Sequence, residues 1–209
     1  MRKTKMSRRS AAIIALAASA GLVFTGCAGG GSDGGDSGGA ASGDERIELV
    51  MMQPPTAALN PFSDDVAKLS RWSTGETLVR LNDDLEIEPL LATKWEQVDD
   101  LTWVFTLREG VTFHDGTDFN AEAVKNSIEK AIAAAPPPRA LNGVKITSVE
   151  ATGDYEVTLT TESPDPLLTN RLGSPQLSIL AAAAYAEDGT VSPIGTGTGP
   201  FVLTEVVGD

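Results

Sequence analysis

The chain has one cysteine, Cys27, and one histidine, His114, among 209 residues. One of each cannot assemble a zinc site, which takes several such ligands, and a single cysteine cannot close an internal disulfide. With one imidazole, and with G-x-S-x-G spacing found only inside a glycine-rich stretch (residues 30–34 and 35–39) that no strand pattern precedes and no helix pattern follows, there is little from which to build a nucleophilic triad. Cations are scarce too: 16 Lys and Arg stand against 29 Asp and Glu, a net charge of −13. That balance argues against nucleic acid as a partner, because phosphate backbones are gripped by clustered Lys and Arg. The longest apolar run, Ala11 to Phe24, has 14 residues, short of the ~20 that a membrane-spanning helix needs.

What is present divides the chain into three. Residues 1–26 carry Arg2, Lys3, Lys5, Arg8 and Arg9 and no acid, followed by the short apolar run. A basic segment, a short apolar segment and small residues make a secretory signal. Its end, LVFTGC, resembles a lipobox, in which the cysteine is lipidated and becomes the first residue, so Cys27 is the expected lipidation site. The apolar residues usual after a twin-arginine pair are missing behind Arg8 and Arg9, so that signal is weak. Residues 27–45 are rich in glycine and serine. They cannot bury a core and read as a flexible tether with a reach of roughly 25 Å. Removing residues 1–26 takes five of the 16 basic residues and none of the 29 acidic ones, which leaves 11 against 29, a net charge of −18. Residues 46–209 have mixed apolar and polar composition and form the globular part.

Periodicity places the elements of that part. RIELVMM, Arg46 to Met52, reads as a strand, Ser63 to Ser70 as a helix, and Leu78 to Leu81 as a short strand or a helix end. TKWEQV and LTWVFTLR flank Asp99-Asp100 as a hairpin, with Leu101, Trp103, Phe105 and Leu107 on one face. VKITSVEA and YEVTLT flank residues 152–154 likewise, with Tyr155, Val157 and Leu159 on one face. Asn120 is a good N-cap for a helix over Ala121 to Ala135, with Val124, Ile128, Ile132 and Ala135 on one stripe and Lys125 and Glu129 outward. Pro136, Pro137 and Pro138 end it. Leu180 to Asp188 reads as a shorter helix and Phe201 to Val207 as a last strand.

Few residues invite chemistry. Asp83, Asp84, Glu86 and Glu88 cluster beside Asn82, but without the glycine and terminal glutamate of a calcium loop they read as a solvated turn. Gly195 to Pro200, GTGTGP, has no Lys-Ser or Lys-Thr behind it and leads into a strand pattern. It reads as a chain crossing between subdomains, where close backbone approach excludes side chains. No two carboxylates stand out as a glycosidase pair. No catalytic residue, metal ligand or cofactor is assigned.

Longer motifs are more specific. Pro89, Leu91, Ala92 and Trp95 precede a hairpin; Leu107-Arg108, Gly110-Val111 and Phe113 to Gly116 follow it, then Ala121, Glu122 and Val124 open the helix. With GTGPF at Gly197 to Phe201 and Leu59-Asn60-Pro61, this series resembles the family 5 solute-binding proteins of bacterial ABC importers, the peptide, nickel and opine group. Where the family often has Tyr-Glu before a Leu, this chain has Gly75-Glu76-Thr77-Leu78.

The resemblance implies a mixed α/β, type II periplasmic-binding-protein-like two-lobed fold. Residues 46–209 would supply most of the first lobe, the second lobe being absent. It also implies a lipid-anchored extracytoplasmic protein that captures an oligopeptide or similar small solute and delivers it to permease subunits. Ligand contacts are expected from Met52, Gln53 and Pro54, and from Trp72, Ser73 and Thr74, although Trp72 suits a core position equally. FHDG is expected to be a strand-to-helix turn, with Phe113 anchored in the core and His114 a marker of the fold. The alternatives are a truncated remnant that binds nothing and a surface lipoprotein hydrolase using carboxylates.

Overall fold

The computed structural model describes residues 54–206. The expected strand Arg46 to Met52, residues 1–45 and Val207 lie outside them. The elements run α1 (Val66–Trp72), β1 (Val79–Leu81), β2 (Ile87–Pro89), β3 (Ala92–Gln97), β4 (Thr102–Leu107), α2 (Ala121–Ala133), β5 (Ile146–Gly153), β6 (Glu156–Thr161) and α3 (Leu168–Leu172). Leu78 to Leu81 resolves as a strand, since β1 pairs antiparallel with β2. The other four strands form one antiparallel sheet in the order β3-β4-β6-β5.

Both hairpins form as their patterns require. Asp99 closes the first by accepting a hydrogen bond from the Leu101 N–H (2.8 Å), and Trp95 then stands opposite Phe105. Phe105, Leu107, Val157 and Leu159 are buried on one face, whereas Thr102, Thr106, Thr158 and Thr160 fall on the other. Against the buried face lies α2, whose Asn120 cap accepts from the Ala123 N–H (3.0 Å). Its buried stripe is Ala121, Val124, Ile128 and Ala131, and Ile132 is 38 % exposed. Each i+4 step drifts about 40° around a helix of 3.6 residues per turn. Two such steps carry Ile132 away from Val124, while Ala131 stays on the stripe. Lys125 and Glu129 form no ion pair with each other among the described residues.

Two expected elements do not form. From Leu180 to Asp188 only one 3₁₀ turn, Ala182–Ala184, is helical. The backbone there is claimed by distant partners. The Ser127 hydroxyl donates to the Leu180 carbonyl (3.1 Å) and accepts from its N–H (3.2 Å), and the Ala181 N–H donates to Thr196 (2.9 Å). Near these groups the Tyr185 hydroxyl is buried without hydrogen-bonding geometry, and burial pushes the phenol up to about 12. The second is the last strand. Residues 201–206 join no ladder, and the Leu203 carbonyl accepts only from the Gly195 N–H (2.8 Å). A strand pattern needs a pairing partner, and Phe201 and Val202 are each more than half exposed.

One buried acid organises the approach to α1. Asp65 is fully buried and accepts from the N–H groups of Ala57 (2.7 Å), Thr56 (3.1 Å) and Leu59 (3.2 Å) and from Lys68 Nζ (2.7 Å). Burial alone would raise its carboxyl, but the Lys68 ammonium and the three N–H donors outweigh it and hold the group well below the usual carboxylate range. The stability this contributes is therefore complete above the unfolded-chain value of ~3.9 and is lost as pH falls below it toward the folded value. Asp65→Ala is expected to cost about 3 kcal/mol at neutral pH. It should also flatten the loss of stability between about pH 4 and pH 2; urea unfolding across that range measures both.

Candidate functional site

The site is built where three stretches of backbone meet. At the end of α1, Ser73 takes a left-handed conformation (φ 49°) and turns the chain into Thr74-Gly75-Glu76. The glycine-rich segment passes directly over this turn. A Cβ added to Gly197 would sit inside the Thr74 carbonyl, and one added to Gly199 inside the Ser73 carbonyl. That close approach is why only glycine fits at these two places. The Gly199 N–H then donates to the Thr74 carbonyl (3.2 Å).

From the FHDG turn, His114 closes on the same segment. Its N–H donates to the Gly197 carbonyl (2.8 Å), and its Nε2 lies 2.7 Å from the Gly199 carbonyl, 85 residues away. Phe113 is buried as expected and packs edge-on against Phe119.

Beside this crossing runs a groove of about 550 Å³ whose walls include Val66 and Leu69 of α1, Ser73 to Thr77, Ser178 and Leu180. Arg80, Leu81 and Pro200 also line it. Arg80 is already engaged with Glu88 at 2.7 Å, and the Ser70 and Ser178 hydroxyls donate to the Ala67 (3.3 Å) and Pro175 (2.7 Å) carbonyls, so Glu76 and the Ser73 hydroxyl are the polar groups best placed to address a ligand. An apolar groove with a few polar groups suits the holding of a small solute. Among the described residues no group of three or more His, Cys, Asp or Glu is placed to hold a metal ion.

The structure brings Ser73 and Thr74 to the groove wall. Trp72 is half-buried on α1 and is not part of that wall, and Pro54 is exposed away from it. Met52, Gln53 and the lipidation candidate Cys27 lie outside the described residues. Sequence reasoning missed Leu69, Glu76, Arg80 and Ser178 as wall residues. The glycine crossing signalled a close approach, but a sequence pattern carries no sign of which backbone is approached. Asn82 accepts from the Asp84 and Glu86 N–H groups (3.0 and 2.9 Å) and so shapes the acid-rich turn between β1 and β2.

Comparison with known proteins gives a consistent set. The model of the bacterial extracellular solute-binding proteins, family 5 Middle, matches residues 86–209. Glutathione-binding protein GsiB of Escherichia coli O1:K1 is 34% identical, over 69% of this chain and 29% of that protein. The chain thus spans less than a third of the length of this curated relative. Among solved structures, the nickel ABC transporter protein of Bacillus halodurans is 37% identical with a TM-score of 0.62, over 73% of this chain and 31% of that one. The periplasmic binding protein DppA of Helicobacter pylori, in complex with the peptide STSA, is 28% identical with a TM-score of 0.57, over 69% and 34%. These neighbours have the type II periplasmic-binding-protein fold, of which the chain matches a part.

Gly199→Ala is expected to lower stability by about 1–3 kcal/mol through overpacking. Gly153→Ala, where the added carbon meets only Glu156 Cβ at 3.6 Å, should do far less. Paired urea titrations check the contrast.

Proposed function

Because this chain belongs to the bacterial extracellular solute-binding proteins of family 5, we propose that residues 46–209 form the N-terminal part of the first lobe of an ABC-importer binding protein. In this reading the protein is lipid-anchored through Cys27 on the extracytoplasmic face, and residues 28–45 let the lobe reach roughly 25 Å from the membrane. A solute settles in the groove, a second lobe closes over it, and the closed form docks on permease subunits. No bond is made or broken. The observation that carries the reading is the coincidence of the groove with the glycine crossing, which joins two motifs of the family, FHDG and GTGPF, at the groove's wall.

The solute class proposed is a short peptide or a compound of similar size. The relatives named for glutathione and seen with the peptide STSA support this. Recognition would use the apolar wall of Leu69 and Leu180 for side chains and Glu76 for a cationic group such as a peptide amino terminus. Ser73 and Thr74 supply further contacts, and Met52 and Gln53 are proposed as additional contributors.

The test begins with protein extracted by detergent from its own cells. Its intact mass is expected to show a diacylglycerol on Cys27, and Cys27→Ser should release the protein from the membrane. Titration of that native protein with glutathione and with tri- and tetrapeptides, followed by tryptophan fluorescence, is expected to give saturable binding. Glu76→Ala should weaken it about tenfold, equivalent to ~1.4 kcal/mol. A native product that saturates with none of these compounds would instead support a truncated remnant.

A further inference from the structure

His114 does more than mark a turn. The turn that carries it is fixed from within. Asp115 accepts from the Thr117 N–H (2.9 Å) and hydroxyl (2.6 Å), the Gly116 N–H donates to the Phe113 carbonyl (2.9 Å), and Gly116 takes a left-handed φ of +85°. With Phe113 anchored in the core, the turn is a firm mount for the imidazole.

The ring has one hydrogen-bond partner. A carbonyl oxygen only accepts, so the 2.7 Å contact with Gly199 puts the ring proton on Nε2. Nδ1 is buried with no partner among the described residues. With the N–H of His114 donating to Gly197 (2.8 Å), one residue holds both glycines whose bare α-carbons touch the groove wall. Those glycines lie against the carbonyls of Ser73 and Thr74 without the cushion of a side chain. Any shift of the glycine segment is passed to Ser73 and Thr74 by hard contact, because carbonyl and α-carbon are already at closest approach.

We propose that His114 is a positioning residue for the groove: through the Gly197 and Gly199 carbonyls it sets where the Ser73–Thr74 wall and Pro200 stand. It touches no ligand and acts from the far side of the glycine crossing. The functional meaning of this rests on reading the groove as the binding site. The test is run without ligand, so a groove that binds nothing would defeat that reading and leave this latch of His114 on the Gly197 and Gly199 carbonyls to be judged on its own readouts.

Two measurements on the full chain decide it. Since His114 is the sole histidine, the imidazole ¹⁵N spectrum of the unaltered protein needs no assignment variant. It is expected to show a slowly exchanging proton on Nε2 and a bare Nδ1; a proton resting on Nδ1 instead overturns the proposal. Amide hydrogen exchange then follows two reporters, the Gly199 N–H bonded to Thr74 and the Ala181 N–H bonded to Thr196. His114→Phe keeps a ring but donates nothing, and should speed both reporters about tenfold while leaving the β4–β6 ladder unchanged. His114→Gln places an amide donor near the position of Nε2, and should bring both reporters to within about threefold of the unaltered chain. Unchanged reporters in the Phe variant, or no rescue by Gln, would overturn the latch. Should the Phe variant fail to fold, the Gln variant and the ring spectrum give the answer.

Discussion

Everything around the groove depends on a backbone-on-backbone contact: Gly197 and Gly199 against the carbonyls of Ser73 and Thr74. Close packing of main chain on main chain leaves no room for a rotamer to absorb error, so the two segments move together or not at all. The contact joins parts of the chain over 120 residues apart. One of its polar ends is satisfied by Gly199 donating to Thr74, and the other by His114 donating to Gly197 and Gly199. Buried backbone groups in a crossing of this kind must find partners, and here those partners come from the FHDG turn. FHDG and GTGPF, two of the motifs that carry the family resemblance, are in this sense one structural object.

The four-stranded sheet and α2 form the rigid body on which this object is mounted. Phe105, Val157 and Leu159 fill the face that α2 covers with Val124 and Ile128. Ser127 then ties that helix to Leu180 through two hydrogen bonds, and Leu180 is itself a groove wall. At the entry to α1, Asp65 holds the chain from Thr56 to Leu59 and thereby sets the start of that helix, whose Val66 and Leu69 line the groove. The groove is thus shaped from behind by groups that do not face it. This is the arrangement in which binding geometry is least disturbed by side-chain motion.

Local signals explain what was legible. Asp99-Asp100 between alternating strands, Asn120 before an apolar stripe and three prolines after it each act within a few residues, so both hairpins and α2 follow from the pattern alone. The errors have a common cause. Leu180 to Asp188 has the composition of a helix, yet Ser127 and Thr196 take up its backbone groups from afar. Phe201 to Val207 has the apolar, β-branched composition of a strand, yet a strand exists only with a neighbour to pair with, and residues 201–206 have none. Ile132 left its stripe because a strict four-residue repeat outruns the helical turn.

The sequence by itself determined the family, the hairpins, the capped helix and the need for glycine at a close approach, because each is written in residues adjacent or regularly spaced along the chain. Tertiary structure alone decided that the approach is made to Ser73 and Thr74, that His114 reaches 85 residues to Gly199, and that Leu69, Glu76 and Ser178 share a groove. Those are distances between segments far apart in the chain, and they are set by how the packed core brings the segments together, for which no local pattern carries a code.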